Sequence, residues 1–471
     1  MTVRTASRRA LLLLLAAAAP ACGGTPAPAP GAPPATEPAA APAAEAAAAP
    51  AAQPAEPGPG PDANESLAWV IATIEGGGAV SPEEIQRRFS PGFLSEVPAE
   101  QVAAIFAGLA GELPPVKIVS SEATSPLAVR ATLETRAGSM RVHLAMTERE
   151  PRQIEGLLFR PGDTGPPPSS FDEVKAAITG AGESIHLLVA ELVRGRCKAV
   201  HQHQVGRRLA IGSTFKLWVL HALAGKIRGK VTWDTTLPIR EELKSLPSGV
   251  LQTRPAGTEV TLRELATKMI SISDNTATDH LIEFVGREEV ERSLRRARHG
   301  APRANTPFLT TREMFALKLA ASDAERDAYR KAPVAGKRRM LAEMRARTIE
   351  LAAAGDWKKP RALDLEWFAS ARDVCEVYAA IGKAAAWKPD SELLQVLGHN
   401  PGVPVDREDW PYVAFKGGSE PGVINLSWMA RRADGRWFVV VATVNDDGRA
   451  LDEAAVVRAA GGALALLGDQ R

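Results

Sequence analysis

The feature that most constrains the fold of this chain is a serine followed three residues later by a lysine, Ser213 and Lys216. In a helical conformation residues three apart lie on one face, so this spacing places a hydroxyl beside an amine. A neutral lysine there takes the hydroxyl proton and activates the serine as a nucleophile. Lysine is neutral near pH 7 only where burial or a second cation lowers its pKa. The pair therefore requires a folded, enclosed surrounding and indicates acyl-transfer chemistry.

Two segments further along the chain supply the other groups that such chemistry needs. Ser273-Asp274-Asn275 offers a hydroxyl and an amide, and Lys416-Gly417-Gly418-Ser419 offers a second cation before a glycine pair. In this order the three segments resemble the penicillin-recognising serine hydrolases, most of all the class A β-lactamases. Each segment alone is common as a helix cap or a strand end. Their order, spacing and flanking pattern together carry the resemblance.

The resemblance implies a role for each matching residue. The expected catalytic residues are Ser213 as nucleophile, Lys216 as base, Ser273 as proton relay and Lys416 as the second cation. The expected substrate-binding residues are Asn275, Gly418 and Ser419. The N–H groups of Ser213 and Ser419 are the expected oxyanion hole, and losing one such donor typically costs about 10²–10³ in rate. The resemblance implies no cofactor.

The chain departs from the family pattern at two places. Gly417 stands where the family has Thr or Ser, whose hydroxyl helps to hold a substrate carboxylate. Either Ser419 replaces that hydroxyl or the substrate lacks the carboxylate. Class A enzymes also carry a Glu that activates the deacylating water, in a loop that ends at a Thr-rich turn. Thr310-Thr311 is taken as that turn, and residues 298–307 before it contain no Glu.

Other acidic and basic groups offer alternatives for the missing base or for a metal. A helical run carries four glutamates that we expect to be solvated: Glu283, Glu288, Glu289 and Glu291. A charged helical insertion at 320–369 ends with Asp364 and Glu366, which are either a source of a base or part of a surface excursion. His201 and His203 share one face of a strand, but no third ligand is visible, so exposed hairpin residues are expected and no metal.

The first 22 residues resemble an export signal. Arginines at positions 4, 8 and 9 precede an apolar run at 10–19, which is shorter than the about 20 residues that span a bilayer. Residues 19–22 resemble a lipoprotein cleavage site with Cys22 as the lipidated N-terminus, and residues 7–12 resemble a twin-arginine signal. The alternative is an ordinary cleaved signal peptide. We expect export to the periplasm or cell surface, with membrane contact only through a lipid at Cys22.

Composition and pattern divide the rest of the chain. Residues 23–61 are almost entirely Ala, Pro, Gly, Glu and Thr, which predicts an extended spacer. Residues 62–163 carry helical patterns and then four strand-like runs, an α+β order that resembles the NTF2-like domains. Residues 168–471 form the β-lactamase-like body. Its expected fold is a five-stranded antiparallel sheet flanked by helices, with an all-helical subdomain.

Charge and cysteine content narrow the function further. Lys plus Arg total 57 against 55 for Asp plus Glu, so the chain lacks the basic excess of a nucleic-acid binder. Cys197 and Cys375 remain after Cys22. Their positions in the sequence do not reveal whether they are close enough to pair, and buried free thiols are the expected state.

The predicted function is a serine hydrolase in which a small β-lactam, or a related ester or amide, acylates Ser213. An esterase or peptidoglycan D,D-peptidase is the alternative, favoured by Gly417 and by the missing loop Glu. The alternative from another class is a non-catalytic ligand-binding lipoprotein. The complete Ser, Lys, Ser, Asn and Lys set argues against that alternative, because a relict site has no reason to keep all five.

Overall fold

The computed structural model describes residues 61–469 except 126, 150, 163–166, 246–247, 346, 348–356, 358, 404–405 and 449–450. The predicted signal, Cys22 and nearly all of the predicted spacer lie outside the described residues. Within the described part of the chain, none of the helices combines the length and the apolar character needed to cross a bilayer.

The first body consists of helices followed by a four-stranded antiparallel meander. Its elements are α1 (Ala63–Glu75), α2 (Pro82–Arg88), α3 (Pro91–Glu96), α4 (Ala99–Glu112), β1 (Lys117–Ser125), β2 (Ala128–Thr135), β3 (Gly138–Met146) and β4 (Ile154–Pro161). Asp62, Ser81 and Ser90 cap the first three helices by accepting a backbone N–H through their side chains. The predicted order of helices and then four strands within residues 62–163 is confirmed. Phe89, Phe106 and apolar residues of the sheet form its separate core.

The second body contains a five-stranded antiparallel sheet and many helices. In chain order its elements are α5 (Phe171–Gly180), β5 (Ser184–Val193), β6 (Arg196–His203), β7 (Leu209–Ala210), α6 (Lys216–Lys226), β8 (Thr236–Pro238), β9 (Glu259–Thr261), α7 (Leu262–Ser271), α8 (Asn275–Val285), α9 (Arg287–Arg296), α10 (Thr311–Phe315), α11 (Asp323–Lys331), α12 (Val334–Arg345), β10 (Phe368–Ala369), α13 (Ala371–Ala384), α14 (Glu392–Leu397), β11 (Tyr412–Glu420), β12 (Val423–Arg431), β13 (Trp437–Asn445) and α15 (Glu453–Asp469). The predicted fold class is confirmed.

Helices cover both faces of the large sheet, whose strand order is β11-β12-β13-β5-β6. Strand β13 is therefore buried at every position, and its alternate residues face opposite layers. Val439 and Val441 pack with the cluster that contains α6 and α13, whereas Val440 and Ala442 pack with α5 and α15. Strand β11 is an edge strand of this sheet, and it contacts the turn that carries the predicted nucleophile.

Cys197 and Cys375 form a disulfide, with Cα atoms 6.3 Å apart. The expectation of free thiols is therefore wrong. Cys197 lies on the edge strand β6, and Cys375 lies in α13, which packs along β5 and β6. The proximity arises from how this helix crosses the sheet, which the sequence separation of the two cysteines does not reveal.

The prediction that four glutamates around α9 are solvated is wrong for Glu291. Glu283 and Glu288 are exposed, but Glu291 is buried. Its carboxylate accepts the backbone N–H of Phe308 at 3.0 Å and is paired with Arg338 at 2.9 Å. Arg338 belongs to α12, so the insertion packs over this face of α9 and supplies the cation that burial of a carboxylate requires.

Candidate active site

Ser213 lies in a single 3₁₀ turn, Gly212–Phe215, and the α-helix α6 begins only at Lys216. The sequence had indicated a helix that starts at the serine. The turn follows strand β7, which pairs with β10, and the backbone N–H of Ile211 donates to the carbonyl of Trp367 at 3.0 Å. These bonds fix the serine hydroxyl next to the lysine one turn later: the Nζ of Lys216 lies 3.1 Å from the Oγ of Ser213.

Lys216 is fully buried and is surrounded by oxygen acceptors. Its Nζ donates to the Oδ1 of Asn275 at 2.7 Å and to the carbonyl and Oγ of Ser273 at 2.7 and 3.0 Å. Burial lowers the pKa of Lys216 to about 7, and nearby carboxylates at Asp274 and Asp279 oppose that shift. Of the two causes expected from the sequence, burial and a second cation, burial is the main one, and the charge on Lys416 is not among the causes of this shift. Lys216 is thus able to accept a proton near neutral pH.

The Ser273-Asp274-Asn275 segment is held by its central aspartate. Asp274 caps α8 through a bond from the N–H of Ala277 at 2.7 Å. Its second carboxylate oxygen accepts the N–H groups of Val250 and Leu251 at 2.6 and 2.9 Å. Ser273 adopts a φ of 58°, a left-handed conformation that is costly for serine and that persists only where the surroundings enforce it. The result is that its hydroxyl and carbonyl both face Lys216.

Lys416 approaches the same serine from strand β11. Its Nζ donates to the Oγ of Ser273 at 3.1 Å and to the carbonyl of Gly417 at 2.5 Å. Burial, and then the charge on Lys216, lower the pKa of Lys416 well below its usual range. Ser273 therefore connects the two lysines, which suits a hydroxyl that passes a proton from one site to another.

Two glycines allow strand β11 to touch the nucleophile turn backbone to backbone. A Cβ on Gly418 would lie 2.1 Å from the carbonyl oxygen of Ile211 and 2.5 Å from the nitrogen of Ser213. A Cβ on Gly212 would lie 2.9 Å from the nitrogen of Ser419. The N–H groups of Ser213 and Ser419 therefore flank this close approach, in the arrangement expected of two oxyanion donors.

A family model described as the beta-lactamase enzyme family, Beta-lactamase2, matches residues 170–464, which include every group of this site. The chain belongs to this family. Among curated proteins, none matches it.

Solved structures similar to this family member include two bacterial β-lactamases and a penicillin-binding protein. The β-lactamase from Sphaerobacter thermophilus DSM 20745 is 23% identical, with 63% of this chain and 97% of that chain covered and a TM-score of 0.41. The β-lactamase from Chitinophaga pinensis DSM 2588 is 17% identical, with 63% and 97% covered and a TM-score of 0.43. The L158E mutant of PBP-A, solved as an acyl-enzyme complex with penicillin G, is 18% identical, with 63% and 96% covered and a TM-score of 0.40.

In this β-lactamase-family protein five of the seven predicted site residues line a cleft of about 320 Å³: Ser213, Ser273, Lys416, Gly418 and Ser419. Lys216 and Asn275 are not part of the lining, and Lys216 is buried next to Ser213. The remaining wall is mostly apolar, and part of it comes from the first body: Val97, Gln101 and Ile105. The Nε2 of Gln101 donates to the carbonyl of Gly249 at 3.4 Å across this junction. The sequence analysis did not predict that these residues contribute to the cleft, because side chains of this kind usually pack within their own domain.

The two carboxylates proposed as alternative bases do not reach the cleft lining. Asp364 pairs with Arg330 at 2.6 Å on the exposed surface. Glu366 is buried with Lys318 and Glu420, and the Nζ of Lys318 lies 3.4 Å from its Oε1. Burial and the carboxylate of Glu366 raise the pKa of Glu420 well above its usual range. At the end of the insertion Asp364 is thus on the surface, whereas Glu366 is internal, and its cluster with Lys318 and Glu420 stabilises the strand end next to Ser419.

The Thr-rich turn and His201 make structural contacts. Thr311 donates its N–H and its hydroxyl to Asp279 at 2.7 and 2.9 Å, one turn beyond Asn275 in α8. The ring of His201 stacks against Phe171 at 5.7 Å. Neither His201 nor His203 belongs to the group with metal-ligand spacing found within the described residues, which consists of Glu183, Asp446 and Asp447.

Proposed function

We propose that this protein is a serine hydrolase of the class A β-lactamase type, in which Ser213 is acylated by a β-lactam or a related ester or amide. The observation that carries the proposal is the 3.1 Å contact between the Nζ of Lys216 and the Oγ of Ser213. The lysine is fully buried and its pKa is lowered to about 7. A serine hydroxyl hydrogen-bonded to a lysine that is partly neutral near pH 7 is an activated nucleophile.

The proposed reaction has two steps. In the first, the proton of Ser213 moves to Lys216 as the Oγ bonds to the carbonyl carbon, and the N–H groups of Ser213 and Ser419 stabilise the oxyanion. The carbonyl–nitrogen or carbonyl–oxygen bond then breaks, and the leaving atom takes a proton relayed through Ser273. In the second step, water attacks the acyl-serine and releases the acid.

The second step is proposed to be slow with β-lactams. Class A enzymes use a loop glutamate for it, and residues 298–307 contain none. Here the cleft lining that the structure describes contains one carboxyl group, Glu453. A slow second step is consistent with an esterase or D,D-peptidase as well as with a weak β-lactamase. The measured lifetime of the adduct formed with a β-lactam distinguishes these activities.

We also propose that the protein is exported and anchored by a lipid at Cys22. Disulfides form and persist in oxidising compartments outside the cytosol, and the Cys197–Cys375 bond favours such a location. Replacing Cys22 with Ser is expected to release the protein from the membrane fraction.

The helices and four-stranded meander of the first body suit the NTF2-like class, and here that body contributes to the cleft wall.

The first experiment is a time course of intact mass for the purified full-length protein with a penicillin and with a cephalosporin, beside Ser213→Ala. We expect an adduct of the mass of the intact β-lactam on the parent and none on the variant. The decay of the adduct measures deacylation. No adduct with either compound would overturn the β-lactam proposal and favour the esterase or the ligand-binding alternative.

A further inference from the structure

Besides the catalytic groups, the cleft lining includes residues of β11 and β12 and the first residue of α15. We call this part of the lining the β11 arm and define it by Phe415, Gly417, Ile424, Leu426 and Glu453, which all line the same cleft as Ser213. Gly417 pairs with Leu426 across β11 and β12. A Cβ at Gly417 would lie 2.8 Å from the Cζ of Phe415. The phenyl ring therefore occupies the space that a Thr or Ser side chain would need, and the arm is apolar where related enzymes have a hydroxyl.

The polar neighbours of the β11 arm have other partners. The amide of Asn425 accepts the hydroxyl of Thr214 at 2.7 Å and donates to the hydroxyl of Thr443 at 2.5 Å. Lys416 donates to Ser273 and to the carbonyl of Gly417, and its pKa is lowered well below the usual range. A substrate carboxylate in the arm would thus find neither a free amide nor a strongly charged ammonium.

Glu453 is the group in the arm that is available to a ligand. It is the first residue of α15 and is half-buried. Among the residues that the structure describes, none makes a hydrogen bond or ion pair with its carboxyl group. Burial raises its pKa to about 7. In its ionised form, a desolvated carboxyl group without a partner gains most from a hydrogen-bond donor or a cation, and it repels an anion.

We propose that Glu453 is a specificity-determining residue, which selects substrates that present a hydrogen-bond donor or a positive charge, rather than a carboxylate, to the β11 arm. Primary amides, hydroxyl-bearing esters and amines belong to this class. The inference rests on the proposed acylation of Ser213, because it concerns the substrate group that lies beside the scissile carbonyl when Ser213 attacks.

The test compares two probes that differ only at this group: benzylpenicillin and the primary amide of its carboxyl group. The rate constant for acylation of the full-length protein is measured by quenched intact mass for each probe. We expect the amide to react about tenfold faster or more, since one hydrogen bond to a charged group is typically worth that factor. In Glu453→Gln the ratio is expected to fall towards one, through faster acylation by the carboxylate probe.

Asp452→Asn is the matched control. It removes the same charge one residue earlier, at an exposed position, and asparagine keeps the oxygen that accepts the N–H of Ala455. We expect the amide-to-carboxylate ratio of this variant to equal that of the parent. A change of similar size in Asp452→Asn would assign the effect to net charge and overturn the proposal.

The remaining outcomes separate this inference from the proposed function. A parent protein that prefers the carboxylate probe, or a ratio that is unchanged in Glu453→Gln, overturns the inference and leaves the acyl-enzyme proposal intact. A parent preference for the carboxylate probe overturns the inference even if Glu453→Gln folds poorly. Absence of an adduct with both probes overturns the proposed function and the inference with it.

Discussion

Lys216 and Lys416 share one acceptor, the Oγ of Ser273, at 3.0 and 3.1 Å. Both ammonium groups are buried, and burial is the main cause that lowers the pKa of each lysine. The charge on Lys216 lowers the pKa of Lys416 further. The site therefore holds fewer than two positive charges near neutral pH, which is the state in which Lys216 is able to act as a base.

We expect acylation of Ser213 to become faster as the pH rises, with a midpoint near 7. Lys216 accepts a proton only when it is neutral, and its pKa is about 7, so the neutral fraction grows above that value. Acylation by an uncharged ester, followed by quenched mass spectrometry from pH 5 to 9, measures the profile. Lys216→Arg keeps the charge at every pH and should abolish acylation. A flat profile in the parent would contradict the role of Lys216.

Asn275→Asp should shift that profile to higher pH. The Oδ1 of Asn275 lies 2.7 Å from the Nζ of Lys216, so a carboxylate there favours the ammonium form and raises the pKa of the lysine. Asn275→Ala removes the hydrogen bond without adding charge and should slow acylation about 10–100-fold. A midpoint that stays in place in Asn275→Asp would show that this contact does not control the lysine.

Ile105→Phe should narrow the cleft and discriminate against large acyl groups. Ile105 belongs to α4 of the first body and lines the same cleft as Ser213. The measurement is the ratio of acylation rates for two penicillins with a small and a large side chain. Ala104→Phe places the same ring on the exposed side of α4 and should leave the ratio at the parent value. Equal ratios in all three proteins would rule out α4 as part of the substrate site.

Lys318→Met should lower the free energy of unfolding by about 3–5 kcal/mol, because it leaves the buried carboxyl groups of Glu366 and Glu420 without their cation. Glu366→Gln keeps the Lys318–Glu420 pair and should lower the free energy of unfolding much less. Guanidinium denaturation measures the free energy of unfolding of both variants.

The Lys318→Met variant also has a predicted pH dependence. The pKa of Glu420 is raised in the folded protein, so the folded state binds more protons than the unfolded state above the usual carboxyl range. Stability should then fall as the pH rises above the usual carboxyl range, and the fall should extend to higher pH in Lys318→Met. An equal loss in Lys318→Met and Glu366→Gln would argue against an electrostatic role for this cluster.

The sequence predicted the residues of the site because its chemistry depends on short local spacings. Ser213 and Lys216 are one turn apart, and Ser273 and Asn275 flank a helix cap, so local structure orients each pair. The resemblance also predicted the five-stranded sheet, in which β12 and β13 are long apolar runs because helices cover both faces.

The features that sequence reasoning missed depend on packing between distant elements. Glu291 resembles a solvated helix charge until α12 covers it, and Ile105 resembles a core residue of α4 until the second body meets it. The pairing of Cys197 with Cys375 depends on how α13 crosses the sheet. In each case the partner lies far away in the sequence, and no local pattern encodes the contact.

The Cys197–Cys375 bond closes a covalent loop that contains Ser213, Ser273 and Asn275, and leaves Lys416 outside it. A protease that cuts any peptide bond inside that loop therefore does not release a fragment. The nicked molecule runs as one species on a non-reducing gel and as two after reduction. A single cleavage in the long insertion would thus leave the nucleophile and the strand that carries Lys416 chemically tethered, and able to reassemble as neighbours.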